Sequence, residues 1–283
     1  MEWIERLNTA INYIEEHLGG KIEYGELAKI ACCSEYHFQR MFGYMAGVTL
    51  SEYIRRRRMS RAAADMQNGG KVIDIALKYG YESPTAFNRA FQNIHGIAPS
   101  NAKQNGITLK SFPPISFKIT IKGVEEMNYK IEQKAAFRIV GVRETIPTDI
   151  EESFKCVPQF WQKSAPQIPQ LVPLMDGEVQ GLLGVSTCNE VEGEQNYYYI
   201  AVQSNAPLPE NMHEFTIPAA TWVIFSGSGT SADIQTLQER IVAEWLPTSG
   251  YEWANAPDIE VYLDQNPADM KFEVWLPVAK ANK

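Results

Sequence analysis

A repeat with a period of 49 residues constrains this chain more than any other feature of its sequence. The repeated positions are Ser34, Phe38, Arg40, Phe42 and Gly47, which recur as Ser83, Phe87, Arg89, Phe91 and Gly96. Self-similarity at such a spacing indicates one supersecondary unit used twice. We therefore expect the first hundred residues to contain two copies of the same small fold.

Each copy has the pattern of a helix, a short break and a second helix. Ser34 and Ser83 are typical N-cap residues, and Pro84 suits the first helical position. Apolar residues then follow at the spacing i, i+3, i+4, i+7, which predicts a buried stripe. These residues are Phe38, Met41, Phe42 and Met45 in one copy, and Phe87, Ala90, Phe91 and Ile94 in the other.

The opposite face of each second helix carries side chains that can read base edges. These are Tyr36, Gln39 and Arg40 in the first copy, and Thr85, Asn88 and Arg89 in the second. Arginine pairs with guanine, and asparagine or glutamine pairs with adenine. A merely solvated face is a fair alternative for one copy alone. Two copies with the same polar chemistry favour base reading.

Residues 1 to about 105 resemble the DNA-binding domain of AraC/XylS-type transcription regulators. The resemblance rests on two runs, Ser34-Glu35-Tyr36-His37-Phe38-Gln39-Arg40-Met41-Phe42 and Ile73 to Pro99, the latter ending Gly96-Ile97-Ala98-Pro99-Ser100. It implies two helix-turn-helix units joined by a long helix, with base contacts at the six residues named above. It also implies double-stranded DNA as a partner, and RNA polymerase as a further one.

The expected connecting helix starts after an N-cap at Thr49 or Ser51 and runs to about Gln67. About 18 residues make it ~27 Å long, which suits two recognition helices about one DNA turn, ~34 Å, apart. Consecutive arginines at 55 to 58 surround this helix, so they cannot all face one partner. We assign phosphate contacts to Arg55 and Arg58 and expect the others to form internal ion pairs or face water.

Length and charge favour two domains with different tasks. Residues 1–110 hold 14 basic and 11 acidic side chains, whereas residues 111–283 hold 12 and 23. We predict a DNA-binding domain over 1–108, a linker with a short strand near Ile115–Ile121 over 109–127, and a second domain over 128–283. The expected fold class is multidomain, with an all-α double helix-turn-helix domain followed by an α+β domain.

The second domain has its own repeat of a strand, a helix and a strand pair, which predicts an antiparallel sheet with helices on one face. In the first half the strands are Tyr129–Val142, Gly181–Cys188 and Asn196–Ser204, with a helix over Ser153–Ser164. In the second half they are Ala219–Phe225, Ile259–Leu263 and Lys271–Pro277, with a helix over Ile234–Leu246.

This half resembles the GyrI-like effector-binding domain. The runs that carry the resemblance are Phe137-Arg138-Ile139-Val140-Gly141, Tyr198-Tyr199-Ile200-Ala201-Val202, Ile217-Pro218-Ala219-Ala220 and, most specifically, Phe272-Glu273-Val274-Trp275-Leu276-Pro277-Val278. The resemblance implies a small-molecule effector. It places the ligand-contacting carboxylate on the final strand, where it matches Glu273.

Strand parity points to the same residue, because Glu273 and Trp275 share one face while Phe272, Val274 and Leu276 share the other. A carboxylate beside an aromatic ring suits an organic cation. We assign ligand binding to these two residues and to further aromatic ones, namely Trp222, Tyr199, Trp161 and Tyr262. The alternatives are aromatic residues that only form core, and a structural Glu273 paired with an arginine such as Arg143.

Signals for catalysis and for metals are weak, so no catalytic residue, metal site or cofactor is predicted. The four histidines are scattered, and the spacing of the four cysteines suits neither a zinc site nor a disulfide framework. Buried, reduced thiols are favoured for Cys32 and Cys33. No run approaches ~18 apolar residues and no secretory signal is recognisable, so we expect a cytoplasmic protein without a membrane span.

The sequence therefore predicts a ligand-responsive transcription regulator that binds DNA and senses a small amphipathic molecule, for which a cation is one candidate. Two alternatives stay open. One is a GyrI-like hydrolase of a small electrophilic compound that carries a fused DNA-binding domain, with Glu273 as its general base. The other is a GyrI-like module that binds another protein.

Overall fold

The computed structural model describes residues 3–104, 106–118, 126–147, 150–187, 196–264 and 269–280. The chain divides into two compact units. Unit 1 comprises Met1–Cys32 and Ala46–Lys118, and unit 2 comprises Cys33–Met45 and Ile119–Lys283. Unit 2 thus includes a segment, residues 33–45, that was predicted to belong to the DNA-binding domain. The domain boundaries proposed above stay a prediction.

The first hundred residues are helical, as the repeat predicts. The helices are α1 (Trp3–Glu16), α2 (Tyr24–Ala31), α3 (Glu35–Ala46), α4 (Leu50–Gln67), α5 (Val72–Lys78) and α6 (Pro84–His95), followed by a 3-10 helix over Pro99–Lys103. Of these, α3 lies in unit 2 except for its last residue, Ala46, and the others lie in unit 1.

The expected N-caps are present. The Ser34 hydroxyl accepts from the His37 amide at 3.2 Å, and the Ser83 hydroxyl accepts from the Ala86 amide at 3.4 Å. Of the two candidates for α4, Thr49 is the N-cap residue. Each such contact satisfies one backbone donor that the first turn of a helix leaves without a partner.

Within unit 1, the segment after α6 is held against α1 and α4 by specific hydrogen bonds. The Phe112 amide donates to the Ser60 hydroxyl at 2.9 Å, and the Asn8 side chain pairs with both backbone groups of Phe117 at 2.8 and 3.0 Å. The short strand expected near Ile115–Ile121 is absent over residues 115–118, and residues 119–121 lie outside the described ones. Backbone groups here bond to side chains instead of to a neighbouring strand.

Unit 2 is built on one antiparallel sheet. Its strands are β1 (Tyr129–Lys134), β2 (Phe137–Thr145), β3 (Leu182–Ser186), β4 (Tyr197–Gln203), β5 (His213–Ile217), β6 (Ala220–Gly229), β7 (Tyr251–Trp253), β8 (Asp258–Tyr262) and β9 (Met270–Lys280). The strand order is β1-β6-β9-β8-β3-β4-β2-β5, and β7 pairs with the end of β9.

The helices of unit 2 connect these strands. They are α7 (Ile150–Ser164), α8 (Ile168–Leu171) with a 3-10 turn over Val172–Leu174, and α9 (Ser231–Arg240), which continues as a π-helix over Ile241–Trp245 into α10 (Leu246–Ser249). The predicted repeat is therefore real: β2-α7-β3-β4 matches β6-α9-β8-β9, and β3 and β8 pair at the centre of the sheet.

One predicted strand is in fact two. The expected strand over Tyr129–Val142 breaks at residues 135–136 into β1 and β2. The two pieces then pair apart, since β1 bonds to β6 whereas β2 bonds to β4 and β5. β1 thus joins the sheet half that belongs to the second repeat.

Both faces of the sheet are buried. In β4, Tyr198, Ile200 and Val202 pack with Phe160 of α7 in one core. Tyr199 and Ala201 point the other way into a second core, which also contains Trp222 and Trp275. Side chains alternate between the faces with period 2, so a residue's parity decides which core it joins. None of the described helices combines the length and apolarity that crossing a membrane requires.

Candidate effector pocket and DNA-reading helices

Unit 2 contains a cavity of about 800 Å³. Trp161 of α7 and Gln238 of α9 contribute to its walls, and Tyr198, Glu260 and Tyr262 contribute from the sheet. A volume of this size is ordinary for sites that take up drug-sized molecules. The position follows from the repeat, because the two equivalent helices both line the same cavity.

The carboxylate of Glu260 lies in the wall and accepts hydrogen bonds from three side chains. Its Oε2 accepts from the Tyr262 hydroxyl at 2.7 Å and from the Tyr198 hydroxyl at 3.2 Å. Its Oε1 accepts from Nε2 of Gln238 at 2.7 Å. These donors hold the carboxylate in one orientation without neutralising its charge.

Gly184 of β3 makes this arrangement possible. A Cβ atom at residue 184 would lie 2.2 Å from the Tyr198 hydroxyl oxygen and 3.1 Å from Oε2 of Glu260. Because Gly184 lies directly across from Glu260 in the β3–β8 register, any side chain there would displace the hydrogen-bonded pair.

Aromatic rings surround the carboxylate. The rings of Trp161 and Tyr262 meet edge to face with centroids 4.9 Å apart, and Nε1 of Trp161 donates to the Tyr198 hydroxyl at 3.1 Å. Burial, reinforced by the charge of Glu260, holds the pKa of both tyrosines well above the usual value. The rings are therefore neutral hydrogen-bond donors at physiological pH, and their faces suit a cation.

Helix α3 forms part of the same wall through Tyr36, Arg40 and Tyr44. Nη1 of Arg40 donates to Oδ2 of Asp258 at 2.5 Å, and Nη2 donates to the Tyr44 hydroxyl at 2.9 Å. That hydroxyl in turn donates to Oε1 of Gln238 at 2.8 Å. A chain of polar contacts thus runs from Arg40 through Tyr44 and Gln238 to Glu260.

The other oxygen of Asp258 accepts from the Trp253 indole at 3.1 Å. Burial raises the pKa of Asp258 to about 6, although Arg40 and the indole oppose this. His37 stacks on Trp253 with ring centroids 4.6 Å apart. Burial, with a further contribution from the charge of Arg40, lowers the pKa of His37 to about 3. At neutral pH the cluster therefore holds a carboxylate, a guanidinium and a neutral imidazole.

The cavity wall includes three of the six residues predicted to bind a ligand, namely Trp161, Tyr262 and Trp275. The other three, Glu273, Trp222 and Tyr199, are not part of this wall. Trp222 and Tyr199 are buried in the core of the opposite sheet face. Glu260 was not predicted, although a parity argument was available. Asp258, Glu260 and Tyr262 alternate with Ile259 and Val261, so the polar set of β8 shares one face.

The shared face of Glu273 and Trp275 is confirmed, since Nε1 of Trp275 donates to Oε2 of Glu273 at 2.8 Å. Lys130 lies 4.0 Å from the same carboxylate. Arg143, the partner considered above for a structural Glu273, instead donates to the Tyr199 hydroxyl at 3.1 Å. Ligand binding by Glu273 stays a hypothesis, and the geometry of this cavity moves the stronger case to Glu260.

The two sets of base-reading candidates differ in exposure. Thr85, Asn88 and Arg89 of α6 are exposed. Tyr36, Gln39 and Arg40 of α3 are only 8, 8 and 7% exposed. Nothing in the sequence repeat distinguishes the two faces, because their polar chemistry is the same.

The arginines of α4 also differ in their exposure and in their partners. Arg55 is exposed and paired with Glu52, whereas Arg57 is buried and paired with Glu15 at 2.6 Å. Arg58 donates to the carbonyl oxygens of Leu18 and Gly20 at 3.1 and 2.7 Å. A phosphate contact by Arg58 would have to share or replace these bonds. The thiol of Cys32, expected to be buried, is exposed.

In the described part of the chain, no group of three or more His, Cys, Asp or Glu side chains is arranged to hold a metal ion. The cavity wall carries carboxylates at Asp258, Glu260 and Asp264 against the single guanidinium of Arg40. The net negative charge of this wall favours a cation over an anion.

Comparisons with known proteins agree with this architecture. Residues 127–279 match the model of the GyrI-like small molecule binding domain, and residues 27–105 match that of a helix-turn-helix domain. Transcriptional regulator Rob of Salmonella typhimurium is 23% identical over 287 residues, which span 95% of this chain and 96% of that protein.

The HTH-type transcriptional activator AarP of Providencia stuartii is 39% identical over 95 residues, covering 33% of this chain and 70% of AarP. A crystal structure of a putative bacterial transcription regulation protein from Staphylococcus aureus MU50 is 21% identical, with a TM-score of 0.45, over 54% of this chain and 99% of that one. The chain thus belongs to the GyrI-like small molecule binding domain family and is a transcription regulator with an AraC-type helix-turn-helix domain in front.

Proposed function

We propose that the GyrI-like domain of this regulator binds a lipophilic organic cation, with Glu260 as its counter-charge. The single observation that carries the proposal is a carboxylate held by three hydrogen bonds inside a cavity of about 800 Å³. Trp161, Tyr198 and Tyr262 supply ring faces and edges beside it. An organic cation gains from the rings and from a charge that is screened less than it would be in water.

The DNA side of the proposal rests on α6 and α3. Exposed Thr85, Asn88 and Arg89 can contact bases in a major groove. Tyr36, Gln39 and Arg40 are proposed for the second groove, with Arg55 as a backbone contact. Arg58 is the weaker phosphate candidate, since two carbonyl oxygens already engage it.

Replacing Glu260 by Gln tests the effector site. The variant keeps the side-chain shape and removes its charge, so methyltriphenylphosphonium should bind more weakly by about 1–3 kcal/mol, the range for contacts to charged groups. Triphenylphosphine oxide, a neutral molecule of nearly the same shape, should lose much less. Isothermal calorimetry on the full chain measures both affinities.

Glu273→Gln is the matched control, because it removes a carboxylate from the same sheet but outside the cavity wall. We expect it to bind the cation as the wild type does. Equal losses for the cation and the neutral compound in Glu260→Gln would argue against a role for its charge. A selective loss of the cation in Glu273→Gln instead would restore the assignment made from the sequence.

We further propose a protein partner and a cellular location for this chain. AarP carries the name of a transcriptional activator, and activators act on RNA polymerase, so we propose the polymerase as a partner of this chain. A DNA-bound regulator works where the DNA is, which for bacterial relatives is the cytoplasm. Co-purification with polymerase on promoter DNA tests the first point.

The hydrolase alternative makes a different prediction. It requires turnover of a small electrophilic compound, and product formation measured with the full chain and with Glu260→Gln would reveal it. The sensing proposal is favoured because the relatives reported above are named as transcription regulators.

A further inference from the structure

The base-reading face of α3 is buried within unit 2. Tyr36 and Arg40 are part of the cavity wall, and Arg40 is 7% exposed. The equivalent arginine of the other repeat, Arg89, is exposed. Both positions carry the chemistry that reads guanine, yet only Arg89 is accessible. The same sequence element is therefore presented in one repeat and covered in the other.

Arg40 is covered by specific partners and not merely by apolar packing. Nη1 of Arg40 donates to Asp258 and Nη2 donates to the Tyr44 hydroxyl. The edge of the guanidinium that would pair with a guanine is therefore already hydrogen-bonded. A side chain cannot hold this carboxylate and a base edge at once. Asp258 is itself held by the Trp253 indole, so the competing carboxylate is preorganised.

Two side-chain hydrogen bonds join this cover to the effector site, in addition to the strand β8 that carries both Asp258 and Glu260. The Tyr44 hydroxyl donates to Oε1 of Gln238 at 2.8 Å, and Nε2 of the same amide donates to Glu260 at 2.7 Å. The amide of Gln238 therefore spans the distance between the hydroxyl that binds Arg40 and the carboxylate proposed to bind the effector. A change in the hydrogen-bond partners of Glu260 therefore alters the position of the Gln238 amide, to which the Tyr44 hydroxyl donates.

We propose that the effector pocket withholds α3 from DNA and that a cationic effector releases it. The inference rests on the proposed function of Glu260. A cation that takes Glu260 as counter-charge competes with Gln238 for that carboxylate, and it places a second positive charge in the cavity that already holds Arg40. Like charges in one cavity repel, so the bound cation lowers the stability of the covered state.

Effector binding and DNA binding are linked in both directions. If the effector raises affinity for DNA by some factor, DNA must raise affinity for the effector by the same factor. Arg40 of α3 can then enter a major groove only in the released state. The regulator would bind DNA weakly, through α6 alone, until the effector arrives.

The central test is Asp258→Asn, which removes the charge that holds Arg40 and keeps the side-chain shape. The probe is a labelled duplex selected by the full wild-type chain from a random library in the presence of methyltriphenylphosphonium. Without effector, the variant should bind this duplex at least ~5-fold more tightly than wild type, the lower end of ordinary allosteric couplings. Adding the cation should then help it less than it helps wild type.

Asp176→Asn is the matched control, since it removes a carboxylate charge in unit 2 outside the cavity wall, where Oδ1 of Asp176 accepts from the Asn205 amide at 2.8 Å. It should leave effector-free DNA binding unchanged. Tyr44→Phe gives an independent variant that breaks the link between Arg40 and Gln238 and keeps the ring. It should tighten effector-free DNA binding in the same direction, which guards against a folding defect in Asp258→Asn.

The outcomes separate this inference from the proposed function. Unchanged or weaker effector-free DNA binding in both Asp258→Asn and Tyr44→Phe would overturn the withholding of α3, even if the cation binds at Glu260. Tighter DNA binding in both variants, with no cation binding by calorimetry, would support withholding and reject both the proposed cationic effector and the release by it. Tighter binding by wild type when the cation is present supports both.

Discussion

Glu260 of β8 and Glu273 of β9 show that the position of a residue along its strand decides which face of the sheet its side chain occupies. Val261, which neighbours Glu260, pairs with Glu273 in the register between β8 and β9. Glu260 shares the cavity with Trp161 and Tyr198, while Glu273 is not part of the cavity wall and accepts from the Trp275 indole. One step along a strand moves a side chain to the other face. The carboxylate that can serve a ligand is therefore chosen by register, not by residue type.

His37 should make stability depend on pH. Burial lowers its pKa to about 3 from 6.5, so the unfolded chain binds one more proton than the folded chain between these values. Stability is therefore fully present above pH 6.5 and is lost as pH falls towards 3. From pH 7.5 to 5.0 the wild type should lose about 2 kcal/mol of stability relative to His37→Gln. Urea unfolding followed by tryptophan fluorescence measures this.

Asp258, which lies 3.8 Å from His37, acts in the opposite direction. The raised pKa of Asp258 makes the folded chain bind the extra proton between pH values of about 3.8 and 6. The effect of His37 is therefore read from the difference between the stability curves of wild type and His37→Gln, and not from the wild-type curve alone. Parallel curves for wild type and His37→Gln would show that His37 is not held neutral by burial.

At the scale of elements, α3 and α6 are two products of one sequence pattern. Both begin at a serine N-cap, and both bury phenylalanines at the spacing the repeat predicts. They differ in what lies against the polar face. Arg40 meets Asp258 and Tyr44, and Arg89 is exposed. Equal sequence chemistry thus yields unequal exposure of the two polar faces.

This difference predicts unequal mutational effects. Without effector, Arg89→Ala should weaken specific DNA binding by about 1–3 kcal/mol, the range for one bidentate base contact. Arg40→Ala should cost less, because Arg40 is engaged elsewhere in that state. In the Asp258→Asn background the cost of removing Arg40 should rise towards that of Arg89. Fluorescence anisotropy with the selected duplex and single-base variants measures both.

Lys163→Ala is the control for simple loss of positive charge, since Lys163 lies on α7 and pairs with Glu144. It should leave the affinity and the base preference unchanged. Arg40→Ala and Arg89→Ala losing equally without effector would contradict the unequal access of the two helices. Unchanged base preference in both would reject their assignment as base readers.

At the scale of the whole chain, positive charge is unevenly distributed and partly used internally. The first 110 residues hold 14 basic against 11 acidic side chains, and the rest of the chain has a net charge of −11. Within unit 1, Arg57 forms an ion pair with Glu15, and Arg58 donates hydrogen bonds to backbone carbonyl oxygens. These two arginines are therefore less available for phosphates than the sequence alone would indicate.

We accordingly expect a moderate salt dependence of DNA binding. The slope of log K against log salt concentration should be on the order of −4 to −7, because each neutralised phosphate contributes about −0.9. Anisotropy titrations from low to physiological salt give this slope. Arg55→Ala should make it shallower by about one unit. A slope near zero would mean that the DNA backbone contributes nothing.

Much of the architecture follows from local sequence. The 49-residue repeat, the serine caps and the apolar spacing predicted α2 to α6, since these signals act within a few residues. Parity within β9 placed Glu273 and Trp275 on one face for the same reason. The break between β1 and β2 was missed, because their different pairing partners lie far away in sequence.

What the sequence by itself determined is the set of elements and the two families they resemble; which residues meet was decided by tertiary structure. Glu260 lies in the cavity wall because β8 pairs between β9 and β3 in a fixed register. Arg40 became buried because Asp258, 218 positions away, lies against it. Periodicity acts over one or two turns, whereas burial and charge pairing depend on distance in space, and no local pattern encodes that distance.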